Sequence, residues 1–200
     1  MKKKHDQCCT LSVLLLTFVL LASAASPLCA GTFAAAGLPD DPPVMVTIFP
    51  ASGVFIAGQV FTVEVWVENV FDLYGVDIQL AFDPALLQVV DPIPGTSKVE
   101  VTPRYDLLSP DLVVRYEADN TAGTVWYAVS QLNPSEPVAG SGALFEFQVL
   151  TVPQGVTQIQ ITNQQLVNQN SELIVVPTGA LSTDYTITLV NGLFLPLVLR

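Results

Sequence analysis

The chain has 200 residues, half of them apolar and only 12% charged, with 18 acidic against 7 basic groups for a formal net charge of -11. So much apolar material supplies one core and excludes a disordered chain, because its burial offsets the entropy of ordering. The acidic balance excludes nucleic acid as a partner, since such a surface repels phosphates instead of displacing their counterions.

Lys2, Lys3 and Lys4 open the chain, an apolar run follows from Leu11 to Leu21, and Ala22-Ser23-Ala24 supplies small residues. Basic head, apolar middle and small-residue site together read as a secretory signal peptide over 1–24, cleaved near Ala24. The run is about half of the ~20 residues a bilayer crossing needs, so the mature chain is expected to carry no membrane span and to act outside the cell or on its surface. Cys29 follows Pro27-Leu28, without the small residue a lipoprotein signal places before its cysteine.

Removal of 1–24 leaves four basic groups, Lys98, Arg104, Arg115 and Arg200, against 17 acidic ones, a net charge of -13. The only histidine, His5, is lost with that segment, and Cys29 is the one cysteine remaining. Without histidine there is no Ser-His-Asp or Cys-His nucleophile, no imidazole-held zinc and no ordinary base near neutral pH. A carboxylate pair is the hydrolytic chemistry left, and it needs a deep cleft that a core of this size seldom leaves. The expectation is a protein that binds and does not catalyse, with no cofactor and no metal.

Residues 25–43, rich in Ala, Gly, Pro and Asp, read as a linker. From Val44 onward apolar and polar residues alternate in short segments bounded by Gly, Pro, Asn and Asp. The first strand runs from Val44 to Phe49. In Phe61 to Glu68 the odd positions are apolar while Thr62, Glu64 and Glu68 mark the other face as wet. Val76, Ile78, Leu80 and Phe82 alternate with Asp77, Gln79 and Ala81 until Asp83-Pro84 stops the strand. Further strands are expected over Leu86–Val90, Leu112–Glu117, Thr124–Ser130, Ala143–Leu150, Thr157–Thr162 and Tyr185–Val190. Residues 191–200 form an apolar tail, interrupted by Pro196, that suits an edge strand, a sorting tag or a docking segment. Nine or so short strands with one wet face each predict an all-β antiparallel two-sheet sandwich in a single domain over 44–190.

Several segments carry a family likeness. Gly58-Gln59-Val60-Phe61-Thr62-Val63, then Gly75 through Asp83-Pro84, then Leu86 to Val90 with Pro94-Gly95 resemble the first half of a cohesin module. Gly123-Thr124-Val125-Trp126-Tyr127-Ala128 and Gly140-Ser141-Gly142-Ala143-Leu144-Phe145 resemble its later strands, so the likeness spans Val44 to Val190. It implies a nine-stranded jelly roll, secreted by microbes, that is not an enzyme. Such modules bind dockerin-bearing proteins, with calcium on the dockerin side, and so assemble polysaccharide-degrading complexes. The fold is close to that of some carbohydrate-binding modules, which makes a carbohydrate-binding or adhesive surface module the alternative.

The family docks its partner on one flat sheet face, and Asp77 resembles an aspartate carried on the corresponding strand. Alternation then places Asp77 and Gln79 outward on their strand, Trp126 and Ala128 on the next, Gln131 at its end, and Glu146 and Gln148 on Ala143–Leu150. These seven residues form the expected partner patch, with Trp126 as its anchor. Trp66, sharing a face with Glu64 and Glu68 on the opposite sheet, is the candidate for stacking on a sugar ring. Asp40-Asp41 and Asp119-Asn120 offer only adjacent oxygens, which favours solvated turns over calcium sites.

Overall fold

The computed structural model describes residues 42–95, 98–177 and 182–189. The expected signal peptide, most of the linker including Asp40 and Asp41, the last residue of the expected strand Tyr185–Val190 and the tail over 191–200 lie outside the described residues. Among the described residues there are fourteen strands and no helix. They are β1 (Met45–Phe49), β2 (Ser52–Ile56), β3 (Val60–Leu73), β4 (Gly75–Phe82), β5 (Leu87–Val90), β6 (Val99–Glu100) and β7 (Thr102–Pro103). Then come β8 (Leu112–Asp119), β9 (Thr124–Ser130), β10 (Val138–Thr151), β11 (Gly155–Thr157), β12 (Ile159–Val167), β13 (Leu173–Ile174) and β14 (Asp184–Thr188).

Two main sheets form the all-β sandwich that the alternation predicts. One runs β1-β3-β10-β5 with β7 added beside β10, and the other runs β13-β12-β4-β9-β8-β6. Their inner faces carry the inward sets read from the sequence: Val63, Val65, Val67, Phe145, Phe147 and Val149 on one side, Val76, Ile78, Leu80, Val125, Tyr127 and Val129 on the other. All are buried, and the Tyr127 ring of one sheet stacks on Phe145 of the other at 4.4 Å between centroids. Burial pushes the Tyr127 hydroxyl well above the usual tyrosine range, since its ionised form would lose hydration there.

A third sheet, β11-β14-β2, joins the two at one end. Phe55 of β2 stacks on Phe61 of β3 at 3.8 Å, and Tyr185 of β14 meets both rings edge-on. The sequence gives no sign of β2, because it pairs in parallel with β14, whose residues lie about 130 positions later. β3 and β10 also outrun their expected lengths. They are the central pair of the first sheet, with register shifts on either side of Gly140 and a third between Ala143 and Phe145 that bend the ladder.

Two turns fix the ends of the functional strands. After β4, the Asp83 carboxylate accepts the Ala85 N–H, and the Asp83 carbonyl accepts those of Leu86 and Leu87, closing a tight turn. Between β8 and β9, Asp119 accepts the N–H groups of Thr121 and Ala122 with one carboxylate oxygen. Those two bonds hold its pKa below the ordinary aspartate value. Asn120 turns the other way: its amide donates to Val89 O and accepts Val89 N–H, both at 2.8 Å. Val89 lies on β5, the edge of the first sheet, so a side chain from the second sheet occupies the place of a missing neighbouring strand. The Asp119-Asn120 oxygens are thus engaged in a turn and a sheet-to-sheet tie.

Candidate partner-binding face

The outward face of the six-stranded sheet is set by register. Asp77 of β4 lies between Gln165 of β12 and Ala128 of β9, and Gln79 lies between Asn163 and Trp126. On the far side of β9, Ala128 faces Arg115 of β8 and Trp126 faces Glu117. Alternation explains why these positions project together: each neighbour along a strand points into the core.

Trp126 is half-buried at the centre and held on two sides. Its Nε1–H donates to Asp77 Oδ1 at 2.9 Å, and the Arg115 guanidinium lies over its ring at 4.1 Å from the centroid. Arg115 pairs with Glu117 at 3.3 Å, and Glu117 pairs in turn with Lys98 beside β6. Asp77, Trp126, Arg115, Glu117 and Lys98 therefore make one connected band across β4, β9 and β8 to the start of β6. Fixed rotamers are what a recognition surface gains from such a band, because ordering them costs nothing further when a partner arrives. Trp and Arg are also the residue types that dominate binding energies.

An apolar shoulder adjoins the band. Strand β6 pairs with Glu117 and Ala118, and Val101 N–H reaches Tyr116 O, so among the described residues the first half of β8 has no partner strand on that side. Leu112, Val113 and Val114 there, with Leu132 beyond β9, are exposed. Asp111 closes the adjoining loop by accepting the Leu132 N–H and the Ser135 hydroxyl, and these bonds hold its carboxyl below the usual range.

Of the seven residues expected in the patch, the structure brings together Asp77, Gln79, Trp126 and Ala128. Ala128 projects to the right side but is only 7% exposed, between the longer Asp77 and Arg115 side chains of its register partners. Gln131 is a correction: it is 5% exposed, because the chain leaves the ladder after Ser130 and its N–H bonds to Tyr74 O. Glu146 and Gln148 are a second correction. They belong to β10 in the five-stranded sheet, opposite Glu64 and Thr62, and so sit on the other side of the molecule. The alternation within β10 is as expected; it tells inward from outward but not which sheet the strand joins. Arg115 and Glu117 were missed, although both lie in an expected strand, because the bulge between Val113 and Arg115 resets its alternation.

On that other side, Trp66 shares its face with Glu64 and Glu68, as the alternation predicts. Its Nε1–H donates to Glu64 Oε2 at 2.9 Å, and Phe49 of β1 meets it edge-on at 6.1 Å. Arg104 bridges Glu146 at 2.6 Å, Asp106 at 3.0 Å and Glu64 at 3.5 Å. Among the described residues no group of three or more Cys, His, Asp or Glu side chains is placed to hold a metal ion, and no helix is long and apolar enough to cross a membrane.

This two-sheet architecture defines a class of β-sandwich modules, and comparison with known proteins gives the family. The cohesin domain family profile matches residues 45–188, and the chain belongs to that family. The fold is similar to a type II cohesin domain from the cellulosome of Acetivibrio cellulolyticus, with TM-score 0.58 and 13% identity over 72% of this chain and 95% of that one. It is equally similar, at TM-score 0.58 and 13% identity, to a type I cohesin–dockerin complex structure from Clostridium thermocellum, over 74% of this chain and 100% of that one. A non-cellulosomal cohesin from the hyperthermophilic archaeon Archaeoglobus fulgidus matches with TM-score 0.53 and 15% identity, over 72% of this chain and 91% of that one. No curated protein matches the chain.

Proposed function

We propose that this chain is a non-catalytic binding module that docks a dockerin-bearing protein on the outward face of its six-stranded sheet. The observation that carries the reading is Trp126, pinned between Asp77 and Arg115 at the centre of that face. Membership of the cohesin family and the cohesin–dockerin complexes among its structural relatives support the nature of the partner. The polar band supplies charge-assisted contacts, while Leu112, Val113, Val114 and Leu132 supply apolar area at one edge. The basic head, apolar run and Ala22-Ser23-Ala24 support export with removal of 1–24, and so an extracellular or cell-surface site of action. Polysaccharide breakdown is the setting in which such a partner is expected.

The test is calorimetric titration of the mature chain with calcium-loaded dockerin modules encoded in the same genome. Binding to at least one is expected, with EDTA abolishing it by unfolding the dockerin while the melting temperature of this chain stays unchanged. Failure to bind any of them overturns the reading.

A further inference from the structure

The five-stranded sheet carries a concavity of about 470 Å³ on its outward face, lined by Phe49, Glu64, Trp66, Glu68 and Ser141 and remote from the Trp126 band. We infer that it is a second binding site, for a neutral polysaccharide chain. The inference is independent of the dockerin reading, since none of these residues lies on the six-stranded sheet.

The floor is an immobilised aromatic platform. Glu64 fixes the Trp66 indole by its Nε1–H, and Phe49 closes on it at an interplanar angle of 81°. Directly opposite Trp66 on β10 is Ala143, a small side chain that adds no bulk beside the indole. Phe49 is exposed, so its ring offers apolar surface beside the indole.

Polar groups stand at both ends of the platform. Glu64 and Glu68 are two residues to either side of Trp66, so each lies about 7 Å from it along the strand. Glu68 accepts the Thr47 hydroxyl at 3.1 Å, and Ser141 accepts the Asn69 N–H at 2.9 Å, so both are oriented before any ligand arrives. A pyranose has the matching anatomy: an apolar C–H face for the indole and hydroxyls at its edges for the flanking acceptors.

Charge narrows the ligand further. Glu64, Glu146 and Asp106 surround Arg104, and Glu68 adds a fourth carboxylate on the same face, which leaves the region net negative and repels uronate-rich or sulfated chains.

The test is affinity electrophoresis of the mature chain in gels containing hydroxyethyl cellulose, xylan, mixed-linkage β-glucan or galactomannan. Retardation by at least one is expected, lost in Trp66→Ala and weakened in Phe49→Ala, with both variants keeping the circular dichroism spectrum of the parent. Two results overturn the inference: no retardation by any of the four, or both variants retarded as strongly as the parent.

Discussion

Gly123 occupies the turn that hands β8 over to β9, and replacing it with alanine is a sharp test of how that turn holds the binding face. Its φ of +69° is left-handed, a region that costs an alanine about 1 kcal/mol or more. A methyl there would also stand 2.3 Å from Phe82 O and 2.8 Å from Pro84 Cδ. Neither neighbour can rotate away: Phe82 O is backbone and Pro84 is a ring. The turn must shift, at the expense of the 2.8 Å bond from Phe82 N–H to Gly123 O, which contributes about 1 kcal/mol. With the displaced backbone added, Gly123→Ala is expected to destabilise by roughly 3 kcal/mol, within the range for forced backbone strain. In a domain of this size that lowers the melting temperature by about 6 to 12 °C. Urea denaturation followed by tryptophan fluorescence reads the change as a lower midpoint at unchanged slope. A loss under about 1 kcal/mol would refute the reasoning, because the β4 and β8–β9 turns would then have room that their packing denies.

Asn120→Ala removes both bonds to Val89 and should cost about 2 kcal/mol in the same denaturation experiment, as it frees an edge-strand donor and acceptor together. Asp111 and Asp119 have folded pKa values below the ordinary one, so their stabilisation is present above the ordinary carboxylate range and is lost as pH falls through the folded values. The melting temperature is therefore expected to drop below about pH 4, and Asp111→Asn with Asp119→Asn should flatten that acid limb in scanning calorimetry.

The sandwich was largely legible because alternation is a direct consequence of strand geometry. Val63, Val65 and Val67 face in while Glu64, Trp66 and Glu68 face out, without reference to any partner strand. What alternation omits is pairing. Glu146 reads as outward on β10, yet only the ladder with Glu64 shows that its face is the one opposite Trp126. Strand β2 was hidden for the same reason, since its partner β14 lies far along the chain. Arg115 was obscured by a bulge, and Gln131 by the end of its ladder, both departures from the period of two on which the reading depended. Phe49 escaped notice as a wall of the Trp66 concavity because only the β1–β3 pairing, which sets Phe49 against Glu64, brings it there.

The central claim is that Trp126 and Asp77 form the heart of a dockerin-binding face, and affinities of Trp126→Ala and Asp77→Ala for a dockerin that binds the parent chain test it most directly. A central anchor contributes about 2 kcal/mol or more, so each variant should bind at least ~30-fold more weakly by titration calorimetry, with its circular dichroism spectrum preserved. Unchanged affinity in both would contradict the account and move the partner to another face of the sandwich.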